Sequence, residues 1–311
     1  MELQQSEQTQ QAGGRFEHDF DSASYRGQEL TAIDSNVALM SENILVTGAT
    51  GNVGRHLVEQ LLADGHRVRA LTRHPDQAGL PEGTDLIKGN LADTATLAEA
   101  FDGVTAVHLI TFDGVDFSPL ANGAEIAPLA QGKRVSVLAG DVNKSPLEDA
   151  LDAAGVGYAR LAPVEFMSNA LEWAESIKTE GVVREGFPDM KSAMIHDADI
   201  AAVAATALTT EGHAGRDYWL TGPQALTPPE KVRTISEVLG RDIKFIELTQ
   251  DEIVAVWRES GFSEEDVEFF LMMRTNPPEA GYTVLPTVEQ VTGKPARPFA
   301  QWVAENAKAF S

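Results

Sequence analysis

The sequence predicts an α/β chain: a doubly wound parallel sheet followed by a smaller, mostly helical C-terminal lobe. Three observations carry this expectation. From Asn43 to Pro163 short apolar runs alternate with longer stretches of helical periodicity. A turn containing Gly48, Gly51 and Gly54 joins the first run to the first helix. After Pro163 helical patterns dominate, with few strands among them.

The β-type runs are Ile44 to Val46, Val68 to Leu71, Asp85 to Ile87, Ala106 to Ile110, Val135 to Leu138 and Tyr158 to Leu161. Between the first two, Asn52 to Ala63 places Val53, Leu57, Val58, Leu61 and Leu62 on one stripe, with Gly65 positioned to stop the helix. Strand, crossover helix and strand, repeated, imply a parallel sheet covered on both faces. Such a sheet takes ligands beyond the carboxyl ends of its strands. Further on, Glu165 to Ile177, Asp199 to Leu208, Pro228 to Leu239, Ser263 to Met273 and Pro298 to Phe310 read as helices. Tyr218 to Thr221 and Lys244 to Leu248 read as strands, and Trp302 and Phe310 as docking residues of the closing helix. The expected division is a flexible acidic extension over 1–40, a nucleotide-binding domain over 41–163 and a substrate lobe over 164–311 whose strands and helices return to the sheet edge. The extension carries seven acidic residues against Arg15 and Arg26, and Met40 reads as an alternative start.

Composition narrows the function. With 311 residues the chain holds one large or two modest domains. Its 47 acidic residues against 24 Lys and Arg give a formal charge of −23, a field that repels phosphate backbones and anionic lipid. Nucleic acid and membrane are therefore not expected partners, and a polyanionic substrate is disfavoured. Absence of cysteine removes disulfides, thiolate nucleophiles and cysteine metal sites. No two histidines have zinc-ligand spacing, and His18 lies in the extension, so no metal is expected. No long apolar run or leader pattern appears, and a cytoplasmic location is expected. A homo-oligomer is left open.

The segment Thr47-Gly48-Ala49-Thr50-Gly51-Asn52-Val53-Gly54 stands between a strand and a helix. A sharp turn without Cβ atoms, followed by a helix N-terminus, suits a pyrophosphate. Gly48, Thr50, Gly51, Asn52, Val53 and Gly54 are thus cofactor-binding candidates. At the end of the second strand, where an acidic residue would hold the ribose of NAD, stands Arg73. A guanidinium there suits a 2′-phosphate, so NADP(H) is the expected cofactor, with NAD(H) second. Arg55 is a further candidate for the same pocket. Asn90 and Leu91 end the third strand at the adenine position, and Thr111 and Phe112 follow the fourth, toward the nicotinamide ribose. His108, inside that strand, reads as a buried structural histidine.

These residues resemble the NmrA-like, NAD(P)-binding group of atypical short-chain dehydrogenase/reductases. The resemblance continues through Arg69 to Pro75, Lys88 to Leu91, Gly155 to Pro163 with Phe166, Met167 and Asn169, and Ile195 to Ala201. It extends to Leu220-Thr221-Gly222-Pro223 and Thr292-Gly293-Lys294-Pro295. It implies a Rossmann-like domain, NADP(H) in many members, a place for Pro163 beside the cofactor, and reductions of quinones, azo dyes, polyketides or phenolics. Some members instead sense the redox state of the cofactor.

The usual acid of such reductases is a tyrosine four residues before a lysine. The four tyrosines are Tyr25, Tyr158, Tyr218 and Tyr282, and none has that lysine. Candidates to replace the relay come from the loops after the fifth and sixth strands. Asp141 and Glu165 are expected to act as acid or base if burial raises their pKa, and Lys144 or Asn169 to polarise a carbonyl. Phe112, Phe166, Met167 and Trp173 are expected to form an apolar wall. The expected function is NADPH-dependent reduction of a neutral aromatic, quinone-like or polyketide-like small molecule. A non-catalytic NADP(H)-sensing regulator with a protein partner, and a redox-neutral cyclase or isomerase, stay open as alternatives.

Overall fold

A computed structural model describes residues 41–114 and 118–311. The expected extension over 1–40, with Met40, His18 and Tyr25, lies outside the described residues.

Strands β1 (Asn43–Val46), β2 (Arg67–Thr72), β3 (Asp85–Lys88), β4 (Ala106–Ile110), β5 (Arg134–Leu138), β6 (Ala159–Pro163) and β8 (Asp217–Leu220) form one sheet in the order β3-β2-β1-β4-β5-β6-β8. Every neighbouring pair is parallel. The order reverses between β1 and β4, which opens a crevice at the carboxyl ends where a ligand fits. Between β6 and β8 lies β7 (Val182–Glu185), which pairs in parallel with β9 (Lys244–Glu247) in a separate two-stranded sheet. The run containing β7 offers only Val182 and Val183 as an apolar signal after Gly181, and it escaped the sequence reading.

Three apolar clusters account for the layers. One face of the large sheet is covered by helices Asn52–Ala63 and Asp197–Thr209, which pack on each other, with Val53, Leu57, Leu61, Ile200 and Ala204 buried. Helix Asn52–Ala63 has the bounds the periodicity predicts. The opposite face holds helices Leu97–Phe101, Gly123–Ala130 and Pro146–Ala153. A third cluster fills the C-terminal lobe, where Phe299 stacks on Trp302 at 5.8 Å and Phe310 is fully buried. Trp302 and Phe310 do dock the chain end. Since β8 and helix Asp197–Thr209 return to the large sheet, part of 164–311 completes the first domain's layers.

Two predicted helices break where tertiary contacts compete for the backbone. Over Glu165 to Ile177, Ile195 N–H donates to Glu165 O at 2.7 Å and Met167 N–H to Ile195 O at 2.9 Å. Those bonds hold the start extended, so a 3-10 turn, Met167–Trp173, precedes an α-helix that begins only at Ala174. The closing helix ends at Glu305, because the Asn306 side chain donates to Trp302 O at 2.9 Å and diverts the chain into a 3-10 turn, Ala307–Phe310. The cap of helix Asp197–Thr209 is His196, whose Nδ1 accepts from Ala198 N–H at 3.1 Å. Asp199, the first residue of the predicted helix, is buried and accepts from Arg297 N–H at 2.7 Å.

A buried ion pair ties the second layer to the sheet. Arg160 of β6 donates from Nε to Glu148 at 2.7 Å, and their side chains are 5% and 1% exposed. The other Glu148 oxygen accepts from Ser145 N–H and Oγ, closing a capping box on helix Pro146–Ala153. Removing Arg160 would leave that carboxylate charged and buried. Arg160→Met is expected to lower the unfolding free energy by about 3–5 kcal/mol, read from urea titration.

Candidate functional site

The site begins where β1 ends. Thr47 donates from its N–H and Oγ1 to His108 O at 3.0 and 2.9 Å, and its Oγ1 accepts from Ile110 N–H at 3.1 Å. Stitched to β4 in this way, the chain turns sharply at Gly48, whose φ of +62° suits glycine. Gly51 N–H closes the turn on Gly48 O at 2.9 Å. A Cβ on Gly54 would lie 2.2 Å from Gly48 O and 2.7 Å from Ala49 Cα, so only glycine lets the helix sit this close to the turn. No side chain caps Gly51, the N-cap of helix Asn52–Ala63. Bare amides and the positive end of the helix dipole therefore face the crevice.

A cleft of about 560 Å³ crosses the carboxyl ends of β1 to β6. Gly48, Thr50, Gly51, Asn52, Val53, Gly54, Arg73, Asn90, Leu91 and Phe112 all line it, as does Arg55. Thr111 and Pro163 do not. Thr111 is buried, its hydroxyl donating to Leu138 O at 3.3 Å and accepting from Gly140 N–H at 3.1 Å, which ties the β4 and β5 loops together. Arg73 donates to Gly114 O at 3.0 Å, and Arg55 to Thr50 O and Gly79 O, both at 3.0 Å. Among the described residues neither guanidinium forms an ion pair. Asn90 accepts from Ala92 N–H at 3.1 Å through its side-chain oxygen, which fixes it at the end of β3.

The cleft also has an apolar part, with Phe112, Leu138 and Phe166. Met167 and Trp173, expected in the same wall, pack into the core of the C-terminal lobe. Thr72, His74, Gln77, Gly89 and Leu138 line the cleft without having been singled out. Their common signal is position: each stands at a strand's carboxyl end or in the loop just beyond it.

The four proposed catalytic side chains are not gathered in the cleft. Asp141 is exposed, not buried, and accepts from Asn143 N–H at 2.8 Å. Lys144 bonds Asp152 and lies over the Tyr158 ring, 5.7 Å from its centroid. Asn169 is exposed on the 3-10 turn. Glu165 accepts from Lys231 Nζ at 2.8 Å and from the Ser192 hydroxyl. Burial pushes the Glu165 carboxyl up, but Lys231, Ser192 and the charge of Arg274 outweigh it and hold the pKa below the ordinary carboxylate value. The expectation that burial raises it is overturned: an ammonium buried beside it keeps Glu165 ionised. Tyr158 immediately precedes β6, at the sheet edge opposite the cleft, and Tyr218 is bonded to His213 at 2.7 Å.

His108 is buried, as expected, with its Nδ1 at 2.8 Å from Ser136 Oγ. Burial pushes its pKa from 6.5 down to about 4. The unfolded chain takes up this proton near pH 6.5 and the folded chain only near 4, so the contribution is whole above 6.5 and is lost as pH falls through that window. The full loss is about 3 kcal/mol. His108→Gln is expected to show a smaller fall in stability between pH 7 and 4.5 than the wild type, measured by urea titration.

An uncapped helix N-terminus above three glycines, at the switch point of a parallel sheet, defines a dinucleotide-binding domain of the Rossmann-like class. The comparisons agree: residues 48–156 match the NAD(P)H-binding family model. Over 286 residues the chain is 37% identical to a (4-alkanoyl-5-oxo-2,5-dihydrofuran-3-yl)methyl phosphate reductase of Streptomyces griseus, covering 86% of this chain and 99% of that protein. It is 29% identical to an NAD(P)H azoreductase of Xenophilus azovorans, covering 86% and 99%. Among solved structures, an Escherichia coli NADPH-dependent quinone oxidoreductase complexed with NADPH superposes with a TM-score of 0.69 at 23% identity, covering 85% and 99%. The chain belongs to the NmrA-like, NAD(P)-binding family of atypical short-chain dehydrogenase/reductases, and it is an NAD(P)H-dependent oxidoreductase. No helix among the described residues is long and apolar enough to cross a membrane.

Proposed function

We propose that the protein is an NADPH-dependent reductase of a conjugated, electron-poor small molecule of quinone-like, aromatic or polyketide-like type. The observation that carries this is the lining of the cleft: Arg55 and Arg73 together with Phe112 and Phe166, with no tyrosine or lysine among its described lining residues. The residues fit the dinucleotide. Amides of the glycine turn and helix start take its diphosphate, Arg73 and Arg55 its 2′-phosphate, and Asn90 its adenine. When bound, the cofactor supplies hydride.

Phe112, Leu138 and Phe166 provide a dry face for the reacting ring and exclude water from it. Hydride addition to a conjugated acceptor leaves its charge delocalised, so the anion persists until solvent protonates it on release from the dry face, and a phenol relay is not required. The names of the furanone phosphate reductase, the azoreductase and the quinone oxidoreductase support this reading, since each acts on an unsaturated acceptor. The test is calorimetric titration with NADPH and NADH, followed by NADPH oxidation with 1,4-naphthoquinone. Micromolar NADPH binding with turnover is expected. Absence of binding overturns the proposal, and binding without turnover of any quinone or enone favours a cofactor-sensing role.

A further inference from the structure

A second cavity, of about 430 Å³, opens in the C-terminal lobe between the segment Phe187–Lys191 and the stretch from Arg274 to Tyr282. Its walls combine Phe187, Met190 and Tyr282 with the cations of Lys191 and Arg274 and one exposed carboxylate, Asp189. Arg274 is the unusual member. The residue is half-buried, yet among the described residues its guanidinium has neither an ion pair nor a side-chain hydrogen bond. Glu165 and Glu172 lie within its electrostatic reach without bonding to it. The last turn of helix Glu264–Thr275 suits a cation, which accounts for a charge there but not for five donors left without an acceptor. Phe187 holds the wall with a φ of 52°, a left-handed conformation that a bulky residue adopts only under constraint from its surroundings.

The cavity is joined to the cofactor cleft by a short run of bonds. Lys191 precedes Ser192, Ser192 bonds Glu165, and Glu165 precedes Phe166, which lines the apolar part of the cleft. Ile195 N–H on Glu165 O and Ser192 N–H on Leu226 O, at 3.0 Å, hold that link in place.

We propose that this cavity binds an oxyanion, a phosphate or carboxylate group carried by the substrate, with Arg274 as its principal donor and Lys191 as a second cation. The inference rests on the reductase reading for its meaning, because the anion would anchor a molecule whose reducible part reaches Phe166. It also revises the expectation of a neutral substrate: net charge describes the field of the whole chain, whereas Arg274 and Lys191 set the potential inside this wall.

The test is calorimetric titration of phenyl phosphate and of benzoate into the full chain, with and without saturating NADPH. Saturation fills the phosphate-binding groups of the cofactor cleft, so heat that persists reports the second cavity. One equivalent of either probe is expected to bind, with preference for phenyl phosphate assigning a phosphate and preference for benzoate a carboxylate. Arg274→Gln is expected to weaken binding at least tenfold, Lys191→Gln two- to fourfold, and Arg73→Ala not at all. Lys191, on an exposed segment, provides a readout even where an Arg274 variant fails to fold. Binding of neither probe, equal affinity in the Arg274 and Lys191 variants, or loss of binding in Arg73→Ala would overturn the proposal. The cofactor-free titration stands apart from the reductase reading: NADPH binding that fails while Arg274-dependent phenyl phosphate binding persists removes that reading alone.

Discussion

Gly54→Ala is expected to abolish measurable NADPH binding and to lower the unfolding free energy by about 3 kcal/mol or more. The added Cβ would stand 2.2 Å from Gly48 O and 2.8 Å from Gly48 C, and both are backbone atoms that have no rotamer to change. Either the helix moves off the sheet, opening the core under Val53 and Leu57, or the turn shifts and its amides lose their aim. Gly51→Ala provides the contrast. Its backbone is extended, with φ of −79°, and its Cβ would meet only Gly48 O at 3.2 Å. That variant is expected to keep the wild-type urea midpoint within about 1 kcal/mol while binding NADPH at least tenfold more weakly, since a methyl stands where the diphosphate approaches. Equal losses of stability in the two variants would count against this division of roles. Calorimetry and urea titration on both proteins decide it.

Arg73→Ala is expected to cut the preference for NADPH over NADH by about 10- to 100-fold, the equivalent of one or two charge-assisted hydrogen bonds. The residue is exposed at the cleft mouth and, among the described residues, bonded only to Gly114 O, so its removal opens no cavity and stability should change by less than about 0.5 kcal/mol. Arg55 lines the same cleft, so the double variant Arg55→Ala/Arg73→Ala should lose more than either alone. The measurement is the ratio of dissociation constants for the two cofactors. A ratio unchanged in the double variant would remove the assignment of the 2′-phosphate to these arginines.

The cofactor half of the site was readable because its parts are contiguous. Gly48 to Gly54 need no partner from elsewhere to signal a turn, and Arg73, Asn90 and Phe112 are placed by counting strand ends. The chemistry on the substrate side was less readable. Asp141, Lys144, Glu165 and Asn169 stand in the loops after the fifth and sixth strands, yet sequence does not say which way a loop side chain turns. Lys144 found Asp152, and Glu165 found Lys231, 66 residues away. Arg274 carried no motif at all. Only folding sets it against Lys191 and Tyr282 in one wall.

The sequence by itself determined the parallel sheet, the glycine turn after β1 and the cation beyond β2, because local periodicity and glycine stereochemistry act over a few residues. Tertiary structure alone decided where helices start and stop around Phe166 and Asn306, which carboxylates stay ionised, and where a second cavity opens. Those outcomes depend on backbone bonds such as Met167 to Ile195 and on charges brought together from distant segments, and neither is written in the spacing of any one of them.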